Sequence, residues 1–116
     1  MSTETPVVIA GWIDYEAADR EAVLEQFAAV ARQSRTEPGC IDYAVSADLD
    51  DERRIRVLEH WSSDAALEEH FATAHVQEFR ASSAGYHRLG RSLQKHYVAS
   101  SEPMASSSSA ARSSAS

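Results

Sequence analysis

Residues 40–61 read CIDYAVSA, DLDDER and RIRVLEHW in succession, and this stretch decides the fold. The first and third segments alternate apolar and polar side chains, which is typical of half-buried β-strands. The acidic segment between them, residues 48–53, forms a short charged turn. The stretch therefore predicts an antiparallel hairpin. One face of its first strand carries Ile41, Tyr43 and Val45, and one face of its second carries Ile55, Val57 and Trp61.

The sequence before the hairpin predicts one strand and one helix. Residues 7–13 read VVIAGWI, and the length and β-branched content of this run suit a strand buried on both faces. Residues 19–35 repeat apolar side chains at helical spacing, and Pro38-Gly39 stops the helix. The buried stripe of this helix is expected to hold Val23, Phe27, Val30 and Ser34.

The sequence after the hairpin predicts two short helices and a last strand. Ser62, Ser63 and Asp64 are capping residues for a helix over 65–72, and Thr73 is a candidate N-cap for a second helix over 75–84. Residues 89–98 contain the last strand.

The resulting order is β-α-β-β-α-(α)-β, which defines an α+β fold of the ferredoxin-like, split βαβ type. We expect a four-stranded antiparallel sheet with its helices on one face. Because the first strand is apolar on both sides, the bare face also needs a cover, and a second copy of the chain is the simplest one. The sequence therefore predicts a homodimer in which two sheets pack into a dimeric α+β barrel.

Composition divides the chain into a folding unit, residues 6–99, and a Ser/Ala-rich tail, residues 100–116, which is expected to be disordered. The net charge of −7 without a basic stripe argues against nucleic acid and against an anionic membrane surface. No apolar run approaches about 18 residues and no cationic signal segment is present, so a cytoplasmic protein is expected. Cys40, the only cysteine, is expected to be a packed residue and not a nucleophile.

Acid–base side chains and an indole cluster where the second hairpin strand meets the helices. Glu59 and Trp61 share one face of that strand, and a carboxylate on an apolar face needs a partner or a raised pKa. His70 lies on the inward side of its helix. His75 follows Thr73 in a first helical turn, where an imidazolium is disfavoured. His70, His75 and Glu59 are thus the catalytic candidates, with Glu59 orienting one histidine. The alternative for the histidines is a role in core packing or capping, and the alternative for Glu59 is a structural hydrogen bond to a helix N-terminus or an arginine.

Aromatic side chains could line a cavity between sheet and helices, which would suit a flat, apolar, oxygenated ring system. Core packing is the alternative for most of them. The candidate substrate-binding residues are Trp61, Tyr43, Trp12, Phe71, Phe79 and Tyr86. The remaining histidines, His60, His87 and His96, need not converge with the others, so no metal is expected.

Four blocks of sequence occur in a characteristic order: Glu37-Pro38-Gly39-Cys40-Ile41-Asp42-Tyr43, Glu59-His60-Trp61, Ala66-Leu67-Glu68-Glu69-His70 and Ala74-His75-Val76-Gln77-Glu78-Phe79. Together they resemble the antibiotic biosynthesis monooxygenase (ABM) domain over about residues 7–98. The resemblance implies a dimeric α+β barrel. It also implies one of several activities, since relatives include cofactor-free monooxygenases of anthrones and quinols, haem-degrading enzymes and an isomerase.

Two positions depart from the pattern of this family. Haem-degrading relatives carry an iron-binding histidine where this sequence has Phe79 or Arg80, so haem ligation is not expected. Several oxygenases place an asparagine near the position of Gly11, which offers no side chain to polarise a substrate carbonyl.

The leading hypothesis is a cofactor-independent monooxygenase of quinol-like or anthrone-like aromatics, with the small aromatic substrate and dioxygen as its partners. A protein base would remove a phenolic proton, and the anion would react directly with dioxygen. No flavin or nicotinamide fingerprint is present, so no cofactor is expected. The alternatives are a non-catalytic dimeric small-molecule-binding or stress-associated protein and a proton-transfer isomerase of the same fold.

Overall fold

The computed structural model describes residues 4–105 of the chain. Its helices and strands are, in chain order, β1 Val7–Tyr15, α1 Ala17–Ser34, β2 Cys40–Ala47, β3 Arg54–Trp61, α2 Asp64–Phe71, α3 Ala74–Ser83 and β4 Arg88–Tyr97. Of the predicted tail, residues 100–105 are exposed and lie in neither helix nor strand, and the rest falls outside the described residues.

The four strands form one antiparallel sheet in the order β2-β3-β1-β4. β1 occupies a central position, with Val7 opposite Trp61 on β3 and opposite Tyr97 on β4. The predicted hairpin is confirmed, because β2 pairs with β3 and Tyr43 lies opposite Glu59. This arrangement is the ferredoxin-like α+β fold with its helices on one face of the sheet.

Side-chain caps start the two helices that follow the hairpin. The Ser63 hydroxyl accepts a hydrogen bond from the Ala66 N–H at 3.1 Å, and the Thr73 hydroxyl accepts one from the Val76 N–H at 3.4 Å. Each cap satisfies a backbone donor that has no partner inside its helix. The break between α2 and α3 therefore follows from Thr73, as predicted. No helix within residues 4–105 is long and apolar enough to cross a membrane.

The hydrophobic core lies between the helices and one face of the sheet. The predicted stripe of α1 is confirmed, since Val23, Phe27, Val30 and Ser34 are all buried. Opposite them the strands bury alternate residues, because side chains two apart share a face of a sheet. The buried strand residues of the apolar core are Val7, Ile13, Tyr15, Tyr43, Ile55, Val57 and Trp61.

Two predicted strand faces differ from the structure. Ile41 was expected beside Tyr43, but it is 54% exposed, because the register shifts between Cys40 and Asp42 and leaves Ile41 without a partner on β3. The buried residues of β1, which are Val7, Ile13 and Tyr15, all lie on the face towards the helices. The other residues of the strand, including Ile9 and Gly11 on that face, are partly accessible. The homodimer that would cover the second face stays a prediction.

Candidate active site

A cavity of about 510 Å³ lies between the sheet and the helices. Its volume falls within the range of about 300–1,000 Å³ that is usual for small-molecule sites. Ile13 and Leu93 line it from the sheet, and Phe27, Val30 and Val76 line it from the helices. Glu59 and His70 lie along its wall as a buried carboxyl and a buried imidazole. The cavity therefore combines apolar walls with an acid–base pair.

His70 lies at the boundary between the cavity and the hydrophobic core. Its helix α2 starts directly after β3, so the imidazole packs back onto the end of that strand. The ring lies 4.5 Å from the Trp61 indole and 5.5 Å from the Tyr43 phenol, measured between centroids. His70 is only 2% exposed, and what access it has is through the cavity that it lines.

Glu37 holds both candidate histidines. Its Oε2 atom lies 2.9 Å from Nδ1 of His70 and 2.7 Å from Nε2 of His75. A carboxylate oxygen only accepts hydrogen bonds, so these two ring nitrogens carry the hydrogens. A neutral His70 then keeps its lone pair on Nε2, which makes no hydrogen bond to any of residues 4–105. The geometry leaves His70 oriented by Glu37 and able to accept a proton.

Glu37 was not a candidate site residue in the sequence, although it begins the first ABM-like block. It precedes the Pro38-Gly39 turn, and the Gly39 carbonyl accepts a hydrogen bond from the Ser62 N–H at 2.8 Å. This bond ties the turn to the start of α2. A β-carbon on Gly39 would collide with the Ala66 side chain, so the turn can approach α2 this closely only with glycine. The available signal was its position three residues before Cys40, which lies opposite Trp61 at the end of the hairpin.

Glu59 has partners other than the histidines it was expected to orient. Its Oε1 atom accepts a hydrogen bond from the Trp61 indole at 3.0 Å, and the carboxyl is 8% exposed. Burial raises the pKa of Glu59, and the indole hydrogen bond, the nearby His70 and the Tyr43 hydroxyl oppose that shift in part. Burial likewise raises the pKa of the Tyr43 phenol. Glu59 is thus poised to exchange a proton, and Glu37 has the orienting position.

The predicted aromatic lining is correct for four of the six residues. Tyr43, Phe71, Phe79 and Tyr86 line the cavity. Trp61 does not, because it is completely buried beneath His70. Trp12 does not either: the residues that alternate with it, such as Ile13, face the helices, so Trp12 points to the other side of the sheet. There the Arg54 guanidinium stacks over its ring at 3.8 Å.

His75 borders a different and smaller pocket, of about 230 Å³, between α1 and α3. The catalytic candidates His70 and His75 therefore do not line the same cavity. The two imidazoles meet at Glu37 instead, with ring centroids 6.0 Å apart, and only His70 lines the large cavity.

Glu37, His70 and His75 are also the set that could hold a metal ion within residues 4–105, since their ligand atoms lie within 4.8 Å of one another. Two imidazoles and a carboxylate suit zinc or non-haem iron. The observed distances of 2.9 and 2.7 Å equally satisfy the three groups by hydrogen bonds alone. The absence of a metal stays a prediction.

Gly11 shows why an asparagine cannot simply occupy this part of β1. Its φ is 154°, and a β-carbon at this position would collide with the Ser92 carbonyl oxygen on β4. Any larger residue would push β4 away from β1.

The sequence profile of the antibiotic biosynthesis monooxygenase family matches residues 6–82, from the start of β1 almost to the end of α3. The chain therefore belongs to this family, as its sequence blocks predicted. An uncharacterized protein of Synechocystis is 33% identical over 76 residues, a match that spans 66% of this chain and 52% of that protein. The chain thus matches about half the length of this relative. YcnE of Bacillus subtilis, a provisionally named monooxygenase, is 31% identical over 75 residues, which span 65% of this chain and 79% of YcnE.

Solved structures share the fold. PA3566 from Pseudomonas aeruginosa superposes with a TM-score of 0.76 at 26% identity, covering 86% of this chain and 100% of that one. A provisionally named antibiotic biosynthesis monooxygenase from Nitrosomonas europaea gives a TM-score of 0.75 at 20% identity, covering 85% of this chain and 95% of the other. At 20% identity the second likeness concerns the fold alone.

Proposed function

We propose that this protein is a cofactor-independent monooxygenase of quinol-like or anthrone-like aromatics. The observation that carries the proposal is the position of His70, which is oriented by Glu37 through Nδ1 and lines the cavity beside Glu59 and apolar side chains. Membership of the monooxygenase family supports it. Homodimer formation is part of this proposal.

The proposed reaction begins with proton transfer. His70 accepts a phenolic or benzylic proton at Nε2, and Glu37 stabilises the imidazolium that results. The electron-rich carbanion then reacts with dioxygen to give a peroxide anion at carbon, which takes the proton back from the His70 imidazolium and becomes a hydroperoxide. For an anthrone, loss of water converts the original CH₂ group into a ketone, so one oxygen atom enters the product and the other leaves as water. Apolar walls favour the reaction by keeping bulk water from the anion.

His75 provides a matched control for His70. Both imidazoles donate to Glu37, but only His70 lines the large cavity. We expect His70→Ala to lower kcat/KM by about 100-fold or more, in line with the loss of a general base, and His75→Ala to lower it by less than about tenfold. The measurement is oxygen uptake with product analysis on a panel of anthrones and hydroquinones. Equal rates for wild type and His70→Ala would exclude this mechanism for the panel.

A non-catalytic dimeric binding protein is the second candidate. The observation that favours it is the packing of the cluster: Glu37 accepts a hydrogen bond from each of the two histidines, and Trp61 is fully buried. Ligand binding without oxygen uptake or product formation would support this candidate. A proton-transfer isomerase would use His70 and Glu59 in the same positions, and it would change its substrate without consuming oxygen.

A further inference from the structure

Three arginines line the same cavity and have no anionic partner within residues 4–105. Arg80 and Ser83 come from α3, and Arg88 and Arg91 come from β4. Arg80 contacts only an aromatic ring, with its guanidinium 5.4 Å from the Phe71 centroid. All three guanidinium groups are accessible to a ligand, since these residues are exposed.

Cationic side chains elsewhere in the described part of the chain are engaged. Arg54 forms an ion pair with Asp14 at 2.9 Å, and Arg56 forms one with Asp48 at 2.8 Å. Three further ion pairs join Arg20 to Glu21, Arg53 to Asp51 and Lys95 to Asp64. Arg35 donates to the Tyr43 carbonyl at 2.9 Å. Apart from the cavity arginines, only Arg32 lacks a partner in residues 4–105, and it does not border the cavity.

This distribution is unusual for an acidic chain of net charge −7. Carboxylates are abundant, yet Glu59 is the only acidic residue along the cavity, where three arginines gather. A concave site lined by one sign of charge concentrates ligands of the opposite sign. The arginines therefore point to an anionic group on the ligand.

The sheet separates this positive region from the acid–base pair. Glu59 lies on β3, whereas Arg88 and Arg91 lie on β4, with β1 between the two strands. Two inter-strand spacings amount to about 10 Å, and the register adds about 13 Å along the strands, since Glu59 lies opposite Ile9 and Arg91 lies opposite Ile13. The backbones of Glu59 and Arg91 are therefore about 16 Å apart, a gap that the long arginine side chain narrows. A ligand with an aromatic ring over β1 can present a reacting ring position to His70 and a charged group to the arginines at the same time.

We propose that the cavity takes an aromatic carboxylate, held by Arg88 and Arg91 through its carboxyl group. Arginine suits this role because its planar guanidinium binds a carboxylate in a bidentate manner. The orientation of the ring towards His70 rests on the proposed function, but the preference for a carboxylate does not depend on turnover.

The test is a calorimetric titration of the full chain with 2-naphthoate and with 2-naphthamide, a neutral ligand of nearly the same shape. We expect naphthoate to bind about tenfold tighter or better, since charge-assisted hydrogen bonds are the stronger ones. Replacing both arginines, Arg88→Gln with Arg91→Gln, should abolish this preference while the affinity for the amide stays unchanged. Arg32→Gln is the matched control and should leave the preference intact.

Equal affinities for naphthoate and naphthamide would overturn the proposal, and so would an equal loss of preference in Arg32→Gln. A third titration with 2-naphthyl phosphate separates the two kinds of anion, and a clear preference for the phosphate would overturn the carboxylate assignment. Oxygen uptake with 1,4-dihydroxy-2-naphthoate and 1,4-dihydroxynaphthalene distinguishes the two proposals. Turnover of both at equal efficiency would overturn only the carboxylate inference, whereas tight naphthoate binding without any turnover would overturn only the monooxygenase.

Discussion

Glu37 and Glu59 are the two carboxylates near His70, but their surroundings differ. Glu37 lies in the turn before β2 and accepts hydrogen bonds from two imidazoles. Glu59 lies inside β3, where its partners are the Trp61 indole and the Tyr43 phenol and where burial raises its pKa. The first carboxylate is surrounded by donors that stabilise its charge. The second also has two donors, yet burial raises its pKa.

This difference separates a structural role from a chemical one. A carboxylate that satisfies two neighbouring groups contributes mainly to stability and orientation, because its removal leaves buried donors without acceptors. A carboxyl with a raised pKa can exchange protons nearer to neutral pH, which is the property that acid–base catalysis requires. The two residues should therefore respond in opposite ways to neutral substitutions.

The largest effect is expected for Glu37→Ala. The substitution leaves Nδ1 of His70 and Nε2 of His75 without their shared acceptor, and each such loss costs about 1–3 kcal/mol. We expect the free energy of unfolding to fall by about 3 kcal/mol in total, measured by urea denaturation at fixed protein concentration. Glu68→Ala, which removes an exposed carboxylate from α2, is the control and should stay near wild type. If the two variants were equally stable, Glu37 would not organise this cluster.

A smaller effect that depends on pH is expected for Glu59→Gln. The folded-state pKa of Glu59 lies above its ordinary value of 4.5. Its stabilising contribution is therefore complete below pH 4.5 and is lost as the pH rises through the folded pKa. Glutamine keeps an acceptor for Trp61 but does not ionise, so the variant should gain stability relative to wild type between acidic and neutral pH. Urea denaturation across this range measures the difference, and a pH-independent difference would argue against the raised pKa.

The fold could be predicted from the sequence because its elements follow local periodicity. The alternation of residues 40–61 and the helical stripe from Val23 to Ser34 depend only on the chain nearby. The bulge at Ile41 has no such signature, since the residue fits an alternating pattern. Trp12 was misplaced because an apolar run does not show which residues face the helices, whereas Ile13 beside it is buried in the core.

The candidate site was predictable only where its residues fall on those periodic elements. His70, Glu59 and Tyr43 do, and all three line the cavity. Glu37 lies in a turn, and its distance from His70 depends on how that turn docks against α2. The arginine cluster combines residues of α3 and β4, which approach each other only in the folded chain. Tertiary packing, and not local pattern, determines these parts of the site.

The smallest effect is expected for treatment with a metal chelator, which tests whether Glu37 accepts hydrogen bonds or binds a metal ion. If hydrogen bonds alone hold Glu37 to His70 and His75, exhaustive dialysis against EDTA should leave the melting temperature unchanged within about 1 °C, a shift that corresponds to only a few tenths of a kcal/mol. A bound ion would instead stabilise the folded state, and its removal would lower the melting temperature. Re-addition of zinc or ferrous iron is the control. If EDTA lowered the melting temperature and either ion restored it, Glu37, His70 and His75 would be metal ligands. Glu37 would then differ from Glu59 as a metal ligand differs from a group that exchanges protons.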